Sequence, residues 1–213
     1  MPKIEISDLS VDYKTSHGNI HALENVEFQL EDGESIGIAG ESACGKSTLG
    51  LSIIRMIQGG NIVSGKITFM GESILDMPES KFDESIRWKE ISMIFQGAMN
   101  SLDPVFTIQQ QFDEVLKQHG FDSNADKIIR DVIRAVNLDY SVLEKYPHEL
   151  SGGMKQRIVI AMALLLKPKF VIADEPTTAV DVLVQAKIIN LLKNLKKKGM
   201  SLMLISHDLA ILS

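Results

Sequence analysis

The sequence predicts an α/β fold built on a mostly parallel sheet, with a β-rich N-terminus and a helical insertion in the middle of the chain. Three observations predict it. Short apolar strands alternate with helix-period segments at both ends of the chain, as a parallel sheet with crossover helices requires. A glycine-punctuated loop links one of those strands to the segment after it. Between residues 109 and 138 the apolar spacing becomes helical. A length of 213 residues, 45% hydrophobic and 23% charged, suits one large domain or two small ones with a sizeable core. That balance excludes a disordered tail, a collagen and a disulfide scaffold.

The elements follow in order. Residues 4–30 read as short β-rich pieces around a turn at 16–19. Residues 37–39 lie in a small apolar strand, followed by the glycine loop and an apolar helical segment at 48–57. Residues 65–70 and 91–95 are further strands. The helical stretch places Phe112, Val115 and Leu116 on one face, then Ile128, Ile129, Val132, Ile133 and Val136. Beyond Leu150 come a helix at 152–166, a strand at 169–173, a helix at 182–198 and a strand at 202–205. Asp181 is placed to cap the second of those helices. Residues 97–160 thus form a helical lobe inserted between 1–96 and 161–213.

Charge and composition narrow the function. A net charge of −6 opposes the basic stripe that a duplex-binding surface needs, so no nucleic-acid partner is expected. The dense basic run, Lys193 and Lys196 to Lys198, sits at a helix end before Gly199, where cations and a glycine cap are favoured. The longest apolar run, 158–166, is far short of the ~20 residues that cross a bilayer. No secretion leader is visible at the N-terminus, and the one cysteine, Cys44, cannot form an internal disulfide. The expected address is cytosolic.

Chemistry enters with Gly40-Glu41-Ser42-Ala43-Cys44-Gly45-Lys46-Ser47, which fits G-x-x-x-x-G-K-S/T between a strand and a helix. Glycines let the backbone wrap a polyphosphate with its N–H groups inward, and the following helix adds the positive end of its dipole. In such a loop Lys46 reaches the β- and γ-phosphates and the Ser47 hydroxyl binds Mg²⁺. The metal needs a carboxylate from a neighbouring strand. Residues 170–174 supply it, four apolar positions and then Asp174 at the C-terminal end, where α/β sheets place ligands. Glu175 follows directly, displaced to the other side of the strand line, where it can address an attacking water.

A second anion-grade turn lies at residues 150–157, LSGGMKQR. Ser151 can cap the helix that follows, and the two glycines leave backbone N–H groups bare. Two such sites and one triphosphate are reconciled if one molecule's loop meets another molecule's serine-glycine turn with nucleotide between them.

The phosphate loop, LSGGMKQR, FVIADEPTTAVD at 170–181 and Ser206-His207-Asp208 together resemble the nucleotide-binding subunit of an ABC transporter. Two further stretches, IFQGAMNSLDPVFTIQQQ at 94–111 and YPHELSGGMKQR at 146–157, are similar to the dipeptide/oligopeptide/nickel importer group. The resemblance covers essentially the whole chain. It implies a P-loop NTPase core formed by 1–96 and 161–213, with an N-terminal antiparallel β subdomain and a helical signature subdomain at 97–160. It implies that ATP is held by residues 40–48, Thr48 included, and that Tyr13 stacks on adenine. It implies Gln96 on Mg²⁺ and water as the joint to the helical lobe, Glu175 polarising the water and His207 on the γ-phosphate. Ser151 and Gly153 would touch the γ-phosphate held by a second subunit, identical or related, and Asp181 would lie in the loop crossing that interface. Further implied partners are transmembrane permease subunits and, indirectly, a solute-binding protein, with the chain peripheral on the inner face of the cell membrane. Residues 97–106 would receive a coupling helix from the permease.

Three departures stand out. Ala43 carries a methyl where the group commonly has glycine, which strains the loop if glycine-only dihedrals are needed there. The interface loop reads Ala179-Val180-Asp181, with valine in place of leucine. The chain stops at Ser213, six residues past His207, where family members continue; the expectation is a shortened cassette with poor hydrolysis and weak dimerisation. Two rival classes are weaker. A non-transport ATPase acting on DNA or ribosomes would bring basic or coiled-coil insertions, and a small-molecule phosphotransferase would leave the LSGG turn unexplained.

Overall fold

The computed structural model describes residues 3–16, 18–121, 124–178 and 180–208. His17 of the first turn, Ala179 of the interface loop and the segment from 209 to Ser213 lie outside them. The N-terminal pieces prove to be two long strands, β1 (Ile4–Thr15) and β2 (Gly18–Leu30), paired as an antiparallel hairpin. They look broken in the sequence because β1 changes phase. Ile4 and Ile6 face the core, then an irregularity at Asp8 (φ 51) shifts burial to Leu9 and Val11.

The parallel sheet starts with β3 (Ser35–Ala39), followed across the glycine loop by α1 (Lys46–Ile53), which begins earlier and ends sooner than the apolar spacing implies. The chain returns through β4 (Gly60–Phe69) and a two-residue β5 (Glu72–Ser73) to extend the antiparallel sheet in the order β2-β1-β4-β5. A short helix without a sequence signal, α2 (Glu79–Ser85), leads to β6 (Ile91–Ile94). Phe82 explains that helix: it is fully buried and lies under the guanidinium groups of Arg55 and Arg87, 4.9 and 5.0 Å from its ring centre.

The helical stretch divides into α3 (Ile108–Gln118) and α4 (Ala125–Ala135). Thr107 and Gln110 start α3 with a reciprocal capping box. Next come α5 (Gly152–Ala163), β7 (Phe170–Asp174), α6 (Val182–Lys197) and β8 (Ser201–Ser206). Asp181 caps α6 by accepting from the Val184 N–H at 2.9 Å, and Lys196 and Lys197 lie in its last turn.

All five residues of β7 and all six of β8 are buried, as expected of inner strands covered on both faces. The sheet order is β3-β8-β7-β6, every pair parallel. Two apolar clusters flank it. One joins Phe170, Ile172, Met203 and Ile205 to the antiparallel sheet and α1; the other joins Val171, Ala173, Leu202 and Leu204 to α3, α4, α5 and α6. Each Leu or Ile sealed in either cluster contributes roughly 1.5–3 kcal/mol of transfer free energy. Among the described residues no helix is long and apolar enough to cross a membrane.

Candidate functional site

Four segments meet at the carboxyl edge of the parallel sheet because their strands finish there in register. Ala39 pairs with Ser206, Asp174 with Ile205 and Ile94 with Ala173. The residues just beyond those ends are Gly40, His207, Glu175 and Gln96, and a ligand at this edge meets them first.

Gly45 caps α1 with φ 92, and a Cβ there would lie 2.3 Å from the Ala22 carbonyl oxygen on β2. No side chain fits, so the loop and the hairpin are built in contact. Lys46 is buried, and its ammonium donates to the carbonyls of Gly40 at 2.9 Å and Glu41 at 2.5 Å, with Cys44 Sγ at 3.5 Å. The lysine assigned to the phosphates is therefore held across its own loop. Ala43 has φ 64, a left-handed backbone that glycine adopts freely and alanine does not. Ala43→Gly is expected to raise the unfolding free energy by about 1 kcal/mol. A urea titration checks this; an unchanged midpoint at unchanged slope would show the methyl costs nothing.

Beside the loop lies a cleft of about 470 Å³. Tyr13, Ile20, His21 and Ala22 of the hairpin line one side, residues 42–48 the floor, and Gln96 and Glu175 the far side. The Tyr13 hydroxyl lies 3.4 Å from Thr48 Oγ1. The structure thus gathers Tyr13, Ser42, Ala43, Cys44, Gly45, Lys46, Ser47, Thr48, Gln96 and Glu175 around one space, with Gly40 and Glu41 joined to it through Lys46.

Three side chains converge on the Glu175 carboxylate. Gln96 Nε2 and Thr178 Oγ1 each donate to Oε2 at 2.9 Å, and His207 Nδ1 lies 3.1 Å from Oε1. Burial works against its charge, but the bonds to His207 and Thr178, with the Lys46 charge behind them, hold the carboxyl below the usual glutamate range. The carboxylate reaches this position through a left-handed backbone at Glu175, φ 45, rather than through strand alternation alone.

Asp174 behaves oppositely. Burial pushes its carboxyl above the usual range, with Glu175 adding to the rise, while Ser47 and Lys46 pull the other way. Only 3% of the residue is exposed, and Oδ1 has no hydrogen-bond partner among the described residues. An orphaned buried carboxylate oxygen beside a hydroxyl suits a hard cation. Among the described residues no cluster of three His, Cys, Asp or Glu exists that would cage one. That donor set fits Mg²⁺, which uses one or two carboxylates plus substrate phosphates and water.

Ser151 and Gly153 are not brought to this cleft. Ser151 caps α5 by accepting from the Met154 N–H at 3.3 Å; Ser151 and Gly152 are exposed, Gly153 is half-buried, and none of the three lines the cleft. The chain alone does not assemble the two halves of the expected site. Sequence reasoning missed Ile20, His21 and Ala22, which enter the cleft only because the hairpin folds over the loop, and no local pattern marks them. It also missed Thr178, although a threonine three residues beyond Glu175 in a turn is a legible signal.

Residues 23–178 match the family model described as ABC transporter. The chain is 41% identical over 215 residues to the oligopeptide transport ATP-binding protein OppD of Salmonella typhimurium, covering 99% of this chain and 64% of that protein. It is likewise 41% identical to OppD of Bacillus subtilis, covering 99% of this chain and 60% of the relative. A putative peptide import ATP-binding protein of Brucella abortus is 41% identical, covering all of this chain and 65% of the relative. The chain therefore spans about three fifths of the length of these curated relatives. Among solved structures, the dimeric post-hydrolysis state of the cassette MJ0796 bound to ADP and Pi superposes with a TM-score of 0.86 at 27% identity, covering 98% of this chain and 89% of that one. The cbiO1 subunit from Clostridium perfringens gives 0.79 at 27% identity, covering 99% of this chain and 80% of that one.

Proposed function

The chain belongs to the ABC transporter family, and from that premise we propose that it binds ATP and hydrolyses it to power import of a small solute, peptides foremost. The observation that carries this reading is the convergence of Gln96, Thr178 and His207 on Glu175 at the mouth of a cleft floored by the phosphate loop. Such a carboxylate, ionised and facing a γ-phosphate, is a base for water rather than for a bound acceptor. The peptide assignment is supported by the OppD proteins of Salmonella typhimurium and Bacillus subtilis.

In the proposed mechanism Tyr13 stacks on the adenine while the amides of residues 42–48 wrap the phosphates. The Lys46 ammonium exchanges its loop carbonyls for phosphate oxygens. Ser47 and Asp174 would hold Mg²⁺, with Gln96 as a further contact, and the metal would supply neutralisation of phosphate charge when bound. Glu175 takes a proton from water as the water oxygen bonds to the γ-phosphorus and the bond to the ADP oxygen breaks. His207 steadies Glu175 and faces the same phosphate. Positioning and charge do most of the work, since phosphoryl transfer leaves the protein little covalent chemistry.

The Ser151–Gly153 turn acts on the nucleotide of a second subunit placed head to tail; the dimeric structure of MJ0796 supports the pairing of two such chains. Residues 1–96 with 161–213 act as the nucleotide-binding core and 97–160 as the lobe that relays motion. The lobe's surface near the core carries Val105, 72% exposed, and Phe106, 45% exposed, on a loop tied down by Gln111. This surface receives a permease helix and holds the chain on the cytoplasmic face of the membrane.

Reconstitution with candidate permease subunits tests the whole reading. Mg-ATP-dependent phosphate release and crosslinks from the permease to residues 97–106 are expected. Transfer of phosphate to an acceptor, or crosslinks confined to other surfaces, would refute it.

A further inference from the structure

We propose that Gln156 is a positioning residue that ties the serine-glycine turn to Glu175 within one chain, so that what occupies the turn is felt at the base. The proposal rests on the ATP-hydrolysis reading above. Gln156 lies one helical turn into α5, 2% exposed, and its Nε2 donates to the carbonyl of Pro176 at 2.7 Å. Pro176 directly follows Glu175, whose own N–H donates to Ile205 O at 3.0 Å. One hydrogen bond thus grips the chain on each side of the left-handed residue. A glutamate stays in that region only while its surroundings hold it.

A second contact closes the far end of the same loop. A Cβ on Gly153 would lie 2.8 Å from Val184 Cγ2, so the turn sits directly on the start of α6. Asp181 anchors that start through the Val184 N–H. The loop carrying Glu175 and Thr178 therefore runs between two attachments to the first turns of α5, at Gln156 and at Gly153. A buried amide–carbonyl bond is costly to leave unmade, so a rotation of α5 drags the Pro176 carbonyl with it. That displaces the Glu175 carboxylate relative to Gln96 and His207. In a head-to-tail pair the turn faces one nucleotide and the carboxylate faces the other, so Gln156 carries coupling between the two sites.

The test is Gln156→Met, which keeps length and bulk and removes the donor. In the full chain, with its partner subunits where these are needed for turnover, kcat is expected to fall roughly tenfold to hundredfold. KM for ATP should stay within about twofold, and the Hill coefficient for ATP should drop toward one. Amide hydrogen exchange is followed on both proteins independently of turnover. Exchange in residues 174–181 is expected to rise while that of α3 and α4 does not. A variant with parental kcat, or with parental exchange in 174–181, overturns the proposal. So does a joint loss of kcat, KM and thermal stability, which would mark Gln156 as a packing residue. If the parent releases no phosphate at all, the hydrolysis reading fails by itself and the exchange comparison decides the tie.

Discussion

Replacing Glu175 by glutamine is expected to lower phosphate release by about two to four orders of magnitude while leaving ATP binding intact. The substitution keeps the shape and the partners: a glutamine carbonyl can still accept from Gln96 and Thr178, whose bonds to Glu175 are 2.9 Å each. It removes the carboxylate proposed to take a proton from water. The pH profile gives an independent reading. Because His207 and Thr178 outweigh burial and depress the Glu175 carboxyl, the base stays ionised below the usual glutamate range. Its ionisation also favours the folded state above the unfolded-state value, a contribution lost as pH falls through the folded value. The acid limb of turnover should therefore lie lower than for an unperturbed glutamate, and residual turnover of the variant should lack it. Single-turnover phosphate release between about pH 3.5 and 8 measures both. A variant that retains parental turnover would remove Glu175 from the chemistry.

Lys46→Ala carries the second large effect, on binding. The ammonium is the buried cation of the loop, and charge-assisted bonds to phosphate contribute roughly 1.5–3 kcal/mol each. Losing one or two of them weakens ATP binding by about ten- to ten-thousandfold. The fold should suffer less. What the alanine leaves behind are the carbonyls of Gly40 and Glu41, on a loop whose residues Gly40 to Cys44 are open to water. Calorimetric titration with Mg-ATP, run beside a melting curve, separates the two. Parental affinity would mean that Lys46 serves the loop and not the nucleotide.

The contrast between these two residues shows what a sequence makes legible. The positions of Lys46 at the start of α1 and Asp174 at the end of β7 were readable because they are local: a fixed loop spacing and a strand end suffice. Glu175 was readable in identity but not in geometry, since nothing in Asp-Glu-Pro states that the glutamate adopts φ 45. Ala43 was flagged from the glycine usually found there, and its φ of 64 supplies the physical reason. The hairpin was blurred by the phase change at Asp8, which breaks the alternation that strands are recognised by. Phe82 and α2 went unseen because their order comes from Arg55 and Arg87, neither of which is signalled by periodicity. Gln156 lay in plain view inside LSGGMKQR, yet its partner is a backbone carbonyl twenty residues on, which only tertiary structure brings near.

The placement of β8 between β3 and β7 has a consequence for the birth of the protein. The strand that supports the phosphate loop on one side and Glu175 on the other is synthesised roughly 160 residues after β3. Until it inserts, the two halves of the cleft have no common scaffold, and Ile205 cannot fix the Glu175 amide. The cleft is therefore completed only once β8 has been made and inserted between β3 and β7.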